Sequence, residues 1–352
     1  MSERDTEETI DNLQNDREPI EESSLIQLSN LTREEQARLD EVWRDIPLDK
    51  RRHMVRLMGE KADEDFQLDF KAVFRRGLQD ADAEVRRESI EGLWEDESVT
   101  LIRPFLRLLE DESDVVRASA ATALGRFVLQ GELGHLTEER YEELVEALVK
   151  IVSDPSIPIS VRRRAVESVA YSGDERVRDI IARAYEDESE EMRTSAVFAM
   201  GRSADEYWSG LVRGELFNED PAFRFEAARA AGELSDSSAV PRLIALLKDR
   251  DREVRKMVIW ALGQIGGAAA REALKGVIRG EQSASIRRLA QDCLAELNLL
   301  DEDSPSLFLD PSLYKGEEED DTLVWDDDEN DSGSGDDESD DFDEDGWLRL
   351  EL

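Results

Sequence analysis

Apolar positions along this chain fall into blocks of helical spacing, and the blocks themselves repeat. From Asp249 to Gly263 a polar turn is followed by Val254 and Arg255, then by Val258, Ala261 and Leu262 on one helical side. Asp111 to Gly125 and Glu188 to Gly201 carry the same order of polar turn, apolar residue, arginine and small apolar run. The arginine falls at Arg86, Arg117, Arg162, Arg193, Arg224, Arg255 and Arg287, in steps of 31, 45, 31, 31, 31 and 32, so one step holds a 14-residue insertion. Self-similarity at such an interval predicts an all-α solenoid of about seven stacked helical hairpins, each burying its apolar side only against its neighbours.

Each unit reads as two antiparallel helices. Leading helices are expected near 68–78, 100–109, 141–152, 177–185, 206–216, 240–247 and 270–278, and each second helix begins just before its repeat arginine. Pro104 and Pro241 fall in first turns, where a missing amide costs little. Gly125, Gly201, Gly232 and Gly263 stand eight residues after their arginines, a place for a helix end or a close helix crossing. Helices of about ten residues are unstable alone, so stability must come from stacking. The insertion, 127–139, is expected to lengthen one loop and one helix, with Thr137 as a cap; it is either a binding element or a neutral extension.

Ahead of the repeats, Thr32 and Glu35 form a capping box before Leu39, Val42 and Trp43. Beyond Pro47 a second helix, capped by Asp49, is expected to run to about Ala62. These predict an N-terminal helical cap over 31–65 and the solenoid over 66–300. Residues 1–30 and 301–352 are highly charged and are expected to be disordered by composition. The C-terminal segment still holds apolar islands around Trp325 and Trp347, which serve either as docking motifs or merely interrupt a solubilising tail.

Charge narrows the partners. The net charge is -41. Residues 301–352 hold 23 Asp or Glu against Lys315 and Arg349, a net of -21, and residues 1–30 hold nine acids against Arg4 and Arg17, a net of -7, leaving -13 between them. Such acidity repels nucleic acids and anionic membranes, so a protein partner is expected, with no nucleic acid and no membrane. Cys293 is the one cysteine, so no intramolecular disulfide forms. No apolar run spans a bilayer and the first residues lack a signal-peptide pattern, so a cytoplasmic location is expected. Asp341 to Glu351 matches a calcium loop in its first six positions, but the closing Glu351 falls one residue early, leaving only weak divalent-cation binding by clustered carboxylates.

The order Asp, Val-Arg, Ala, Ala-Leu-Gly at a spacing near 31 resembles HEAT repeats of the short bacterial type, which phycobilisome-lyase-like proteins also carry. The resemblance covers about residues 66–298. It implies a stack of helical hairpins whose second helices line a concave, protein-binding face, and a structural role for Asp111 with Arg117, Asp187 with Arg193, and Asp249 with Arg255. Deoxyhypusine hydroxylase is similar in fold, but its di-iron centre needs several imidazoles, and this chain has only His53 and His135. The expectation is a scaffold with no catalytic residue and no cofactor; the alternative is an enzyme or enzyme subunit related to the bilin lyases.

Positions two, five and nine after each repeat arginine share one helical face. The first repeat offers Glu88, Glu91 and Glu95 there, whereas the middle repeats bring Arg164, Tyr171, Phe198, Arg202, Arg229, Met257 and Trp260. Aromatic and arginine side chains anchor protein interfaces, so these seven are the candidate partner-binding residues. The competing reading is that Phe198 and Trp260 fill gaps between repeats.

Overall fold

In a computed structural model the described residues are 3–15, 20, 22–280 and 283–299. All their regular structure is helical, and the expected hairpins are present. After α1 (Glu3–Asn12), α2 (Glu22–Ile26), α3 (Arg33–Val42) and α4 (Leu48–Glu64), seven pairs follow. They are α5 (Lys71–Gly77) with α6 (Ala83–Glu91), α7 (Ile102–Leu108) with α8 (Asp114–Glu132), and α9 (Glu138–Ser153) with α10 (Ile159–Val169). Then come α11 (Arg176–Tyr185) with α12 (Glu190–Arg202), α13 (Ser209–Glu215) with α14 (Pro221–Glu233), α15 (Val240–Leu246) with α16 (Arg252–Ile265), and α17 (Gly267–Gly280) with α18 (Ala284–Leu299).

Two expectations need correction at the N-terminal end. Residues 1–30 were expected to be disordered, yet α1 and α2 form there, with Ile10, Leu13, Leu25 and Leu28 buried. Averaged polarity hid these four apolar positions. Helix α1 packs on α3, and Arg38 pairs with Asp11 at 2.8 Å. The capping box is as read, with the Glu35 amide donating to Thr32 Oγ1 (3.3 Å) and the Thr32 amide donating to Glu35 Oε2 (2.8 Å). Asp49, however, lies in the first turn of α4 and Pro47 takes the cap position, with no side-chain cap bond. The expected tail, 301–352, lies outside the described residues.

Second helices α6, α8, α10, α12, α14, α16 and α18 pack each on the next as one layer that α4 extends, and each leading helix packs on its own second helix. The small residues expected to permit close crossing do so. A Cβ built on Gly201 would stand 2.7 Å from Ala230 Cα, and one on Gly232 3.0 Å from Ala261 Cα. The insertion lengthens both α8 and α9 rather than one loop and one helix. Their junction is tied by Tyr141 Oη, 2.5 Å from Glu132 Oε2 and 2.5 Å from Ser172 Oγ. Thr137 takes the cap position of α9 without a side-chain cap bond.

Hydrogen bonds explain the repeated aspartate and arginine, with a change in pairing. Five of the seven repeat arginines brace their own hairpin turn by donating to a carbonyl six residues back: Arg86 to Asp80 (2.8 Å), Arg117 to Asp111 (3.1 Å), Arg193 to Asp187 (3.1 Å), Arg224 to Asn218 (2.9 Å) and Arg255 to Asp249 (2.9 Å). Arg162 instead donates to the Ile157 carbonyl, five residues back (3.1 Å). The carboxylates of Asp111 and Asp249 are taken from the preceding unit instead. Arg86 forks onto Asp111 at 2.8 and 2.7 Å, and Arg224 onto Asp249 at 2.8 and 2.8 Å. A bidentate guanidinium–carboxylate pair fixes geometry as well as adding energy, so these contacts set the register between units.

A second set of rungs was not read from the sequence. Arg75 reaches Asp96, Arg178 reaches Asp205 and Arg213 reaches Asp236, each at 2.6 Å. Each of these aspartates also accepts from the amide two residues on, at Ser98, Tyr207 and Ser238, so it orders the turn that enters the next leading helix while holding the previous one, and Asp205 and Asp236 take the cap position of that turn.

Candidate binding strip on the second helices

The middle second helices are built from small residues, so their few large side chains meet at the layer's open side. Arg202 on α12 lies between Tyr171, just after α10, and Phe198, with its guanidinium 5.5 and 5.1 Å from the two ring centroids. Arg229 on α14 lies between Phe198 (4.6 Å) and Phe225 (5.5 Å). The result is one continuous stack, Tyr171, Arg202, Phe198, Arg229, Phe225, across three repeats. All three rings remain partly exposed, whereas Arg229 is only 4% exposed. Cation–π contacts of this kind strengthen as water is excluded.

Glutamates balance the arginines. Arg202 pairs with Glu233 at 3.3 Å, Arg229 with Glu226 at 3.4 Å, and Arg164 with Glu167 at 3.0 Å. Buried Ser195 donates to Glu167 Oε1 at 2.5 Å, joining α12 to α10. These three ion pairs cancel, so the strip is near neutral in an acidic chain. It also means that the arginines are committed to the floor rather than free to reach a partner.

Of the seven residues singled out from sequence, Tyr171, Phe198, Arg202 and Arg229 come together in the stack, and Arg164 adjoins it through Glu167 and Ser195. Trp260 is partly exposed and lies over Gly232, where a Cβ would meet its ring at 2.8 Å. Met257 is 3% exposed and belongs to the packing between helices. Phe225 was missed because it follows its arginine by one residue, outside the two, five and nine spacing. It precedes Arg229 by four, and that i,i+4 relation was the available signal. Beyond this strip, Glu91 and Glu95 are exposed at the N-terminal side, as are Asp292 and Glu296 at the C-terminal side.

Burial pushes the Glu226 carboxyl up to about 7, with Arg229 opposing the shift and Glu167 and Glu233 adding to it. Burial likewise raises Glu233 and the Tyr171 hydroxyl. A folded glutamate that holds its proton more tightly than the usual 4.5 contributes stability that is present below pH 4.5 and lost as pH rises through about 7. Roughly 3 kcal/mol is at stake for a shift of this size. Urea unfolding of Glu226→Gln between those pH values is therefore expected to show a flatter decline than the native chain, with Glu233 supplying what slope remains. An unchanged slope would place the titration elsewhere.

Other reactive groups are apart from the strip. Cys293 is buried against Gly263, and burial, with Glu296 and Asp292 nearby, raises its thiol to about 11. His53 on α4 faces Arg56 at 3.3 Å, and His135 is exposed just after α8. Among the described residues, no group of three or more His, Cys, Asp or Glu is arranged to hold a metal ion, and no helix is long and apolar enough to cross a membrane.

Comparison with known proteins places these hairpins. The family described as HEAT repeats matches residues 71–155 and 213–295. No curated protein matches the chain. Similar solved structures include the complex of CpcE and CpcF of phycocyanin lyase from Nostoc sp., 18% identical, with a TM-score of 0.43 over 64% of this chain and 94% of that one. Human deoxyhypusine hydroxylase in complex with glycerol is 20% identical, with a TM-score of 0.33 over 84% and 97%. An archaeal HEAT-like repeats protein from Thermococcus onnurineus is 11% identical, with a TM-score of 0.35 over 65% and 97%. Over those two matched spans, whose hairpins are braced by the repeated arginine, the chain carries HEAT repeats.

Proposed function

We propose that this chain is a non-catalytic scaffold that binds a partner protein on the second-helix layer, across Tyr171, Phe198, Phe225 and Trp260. The observation that carries the reading is the stack itself: partly exposed rings held by arginines whose charges are already matched. Rings fixed in this way lose little entropy on contact, and aromatic side chains dominate binding energy at protein interfaces. HEAT repeats commonly mediate protein interactions, which agrees with this use of the fold. The acidic C-terminal residues are proposed to tune which partners approach, by favouring basic surfaces and opposing acidic ones. The lack of catalysis is inferred from a chain whose two histidines sit on separate elements and whose strip carboxylates are engaged with arginines.

Affinity purification from native cells with the full chain and with a Phe225→Ala/Trp260→Ala variant tests the proposal. The native chain is expected to retain a stoichiometric protein that the variant loses, while the variant's melting temperature stays within a few degrees. Equal recovery by a folded variant would move binding off the strip.

A further inference from the structure

The hairpin turn before α16 reverses the charge that two of the other turns carry. Seven and five residues ahead of the repeat arginine, Glu110 and Glu112 in one unit and Glu186 and Glu188 in another become Lys248 and Arg250 here. In the unit before, the turn aspartate is replaced by the neutral Asn218. These turns neighbour one another along one edge of the stack, where a groove of about 330 Å³ opens, with Arg224 and Asp249 bound to each other within its lining.

Three cations in this groove have no carboxylate partner among the described residues. Lys248 and Arg250 are exposed, and Arg242 is held in place, donating from Nε to the Leu216 carbonyl at 3.0 Å with its guanidinium 4.0 Å from the Phe217 ring centroid. Phe217 is 64% exposed, an aromatic surface set beside positive charge.

We propose that this groove is a second binding site, separate from the strip, which takes a short acidic segment of a partner protein bearing an aromatic or aliphatic residue. Carboxylates would pair with Arg242, Lys248 and Arg250 while the apolar residue covers Phe217. The acidity of the rest of the chain acts over longer distances and is largely screened beyond about 8 Å at physiological salt, whereas contact pairs in the groove are screened less. Three cations are too few to neutralise a run of nucleic-acid phosphates, whose binding relies on many such contacts. The exposed ring favours a peptide for the same place.

Fluorescence anisotropy on the full chain, with a labelled peptide of Asp and Glu around a single Trp, is the test. The acidic peptide is expected to bind and to weaken with salt, and its Asn and Gln counterpart to bind at least about tenfold more weakly. Lys248→Glu/Arg250→Glu, both on exposed positions, is expected to lose about tenfold or more with an unchanged melt, and Phe217→Ala to lose several-fold. Phe225→Ala in the strip is expected to leave this affinity unchanged, which separates the two sites. The proposal is overturned if the charge-reversed variant binds equally well. It is also overturned if a single-stranded oligonucleotide binds more tightly than the peptide, or if inorganic phosphate alone competes as strongly as the acidic peptide.

Discussion

Asp111→Ala is expected to destabilise the chain by about 3–5 kcal/mol, because it takes from the buried Arg86 guanidinium its bidentate partner and leaves only the exposed Glu112 at 3.8 Å. The two side chains are only 7% and 8% exposed, so water cannot replace the lost contact at little cost. The loss falls on an interface between units, and in a repeat array such an interface term governs whether neighbours unfold together. Hydrogen exchange should therefore show α5 and α6 losing protection before the units beyond α8. Arg117→Ala is the contrasting change. Its guanidinium bonds the Asp111 carbonyl and a half-exposed Asp114, and about 1 kcal/mol is expected from that loss. Near-equal effects of the two substitutions would show that the aspartate works within its own unit.

Trp43→Ala is expected to be comparably costly, about 3–5 kcal/mol, and to act at the N-terminal end. Trp43 is 1% exposed, its Nε1 donates to Asp80 Oδ2 at 2.6 Å, and Arg76 lies 5.4 Å from its ring centroid. Asp80 is held from the other side by Arg51 at 2.9 Å, so the cap engages the first repeat much as repeats engage each other. Trp43→Phe keeps most of the bulk and loses the hydrogen bond, for which about 1–2 kcal/mol is expected. Chemical denaturation distinguishes them; a loss below about 1 kcal/mol for Trp43→Ala would mean that the cap does not stabilise the array.

The hairpins were legible because a solenoid writes the same local problem into every unit. Val254, Arg255 and Gly263 recur for reasons confined to one turn and one crossing. What crosses between units was harder to read. Asp111 lies six residues from Arg117 and 25 from Arg86, so sequence proximity favoured the wrong carboxylate partner, although the bond that Arg117 makes to the Asp111 carbonyl is real. Arg75 and Asp96 were overlooked for the same reason. Ile10 and Leu13 escaped notice because a polar average over 1–30 says nothing about where its few apolar residues fall.

The strip was half legible. Spacing found Tyr171, Phe198, Arg202 and Arg229, but it could not show that Glu226 and Glu233 neutralise the arginines, or that Met257 faces inward. Phe225 was lost through a one-position choice of register. Sequence reads which residues share a helical face; the neighbouring helix decides which of them stay open.

The most direct test of the strip is hydrogen exchange on the full chain with and without the protein recovered by affinity purification. Partner-dependent protection is expected in α12, α14 and α16, centred on the segments holding Phe198, Phe225 and Trp260. Protection confined to the 127–139 extension or to the leading helices, with the second-helix segments unchanged, would contradict the account.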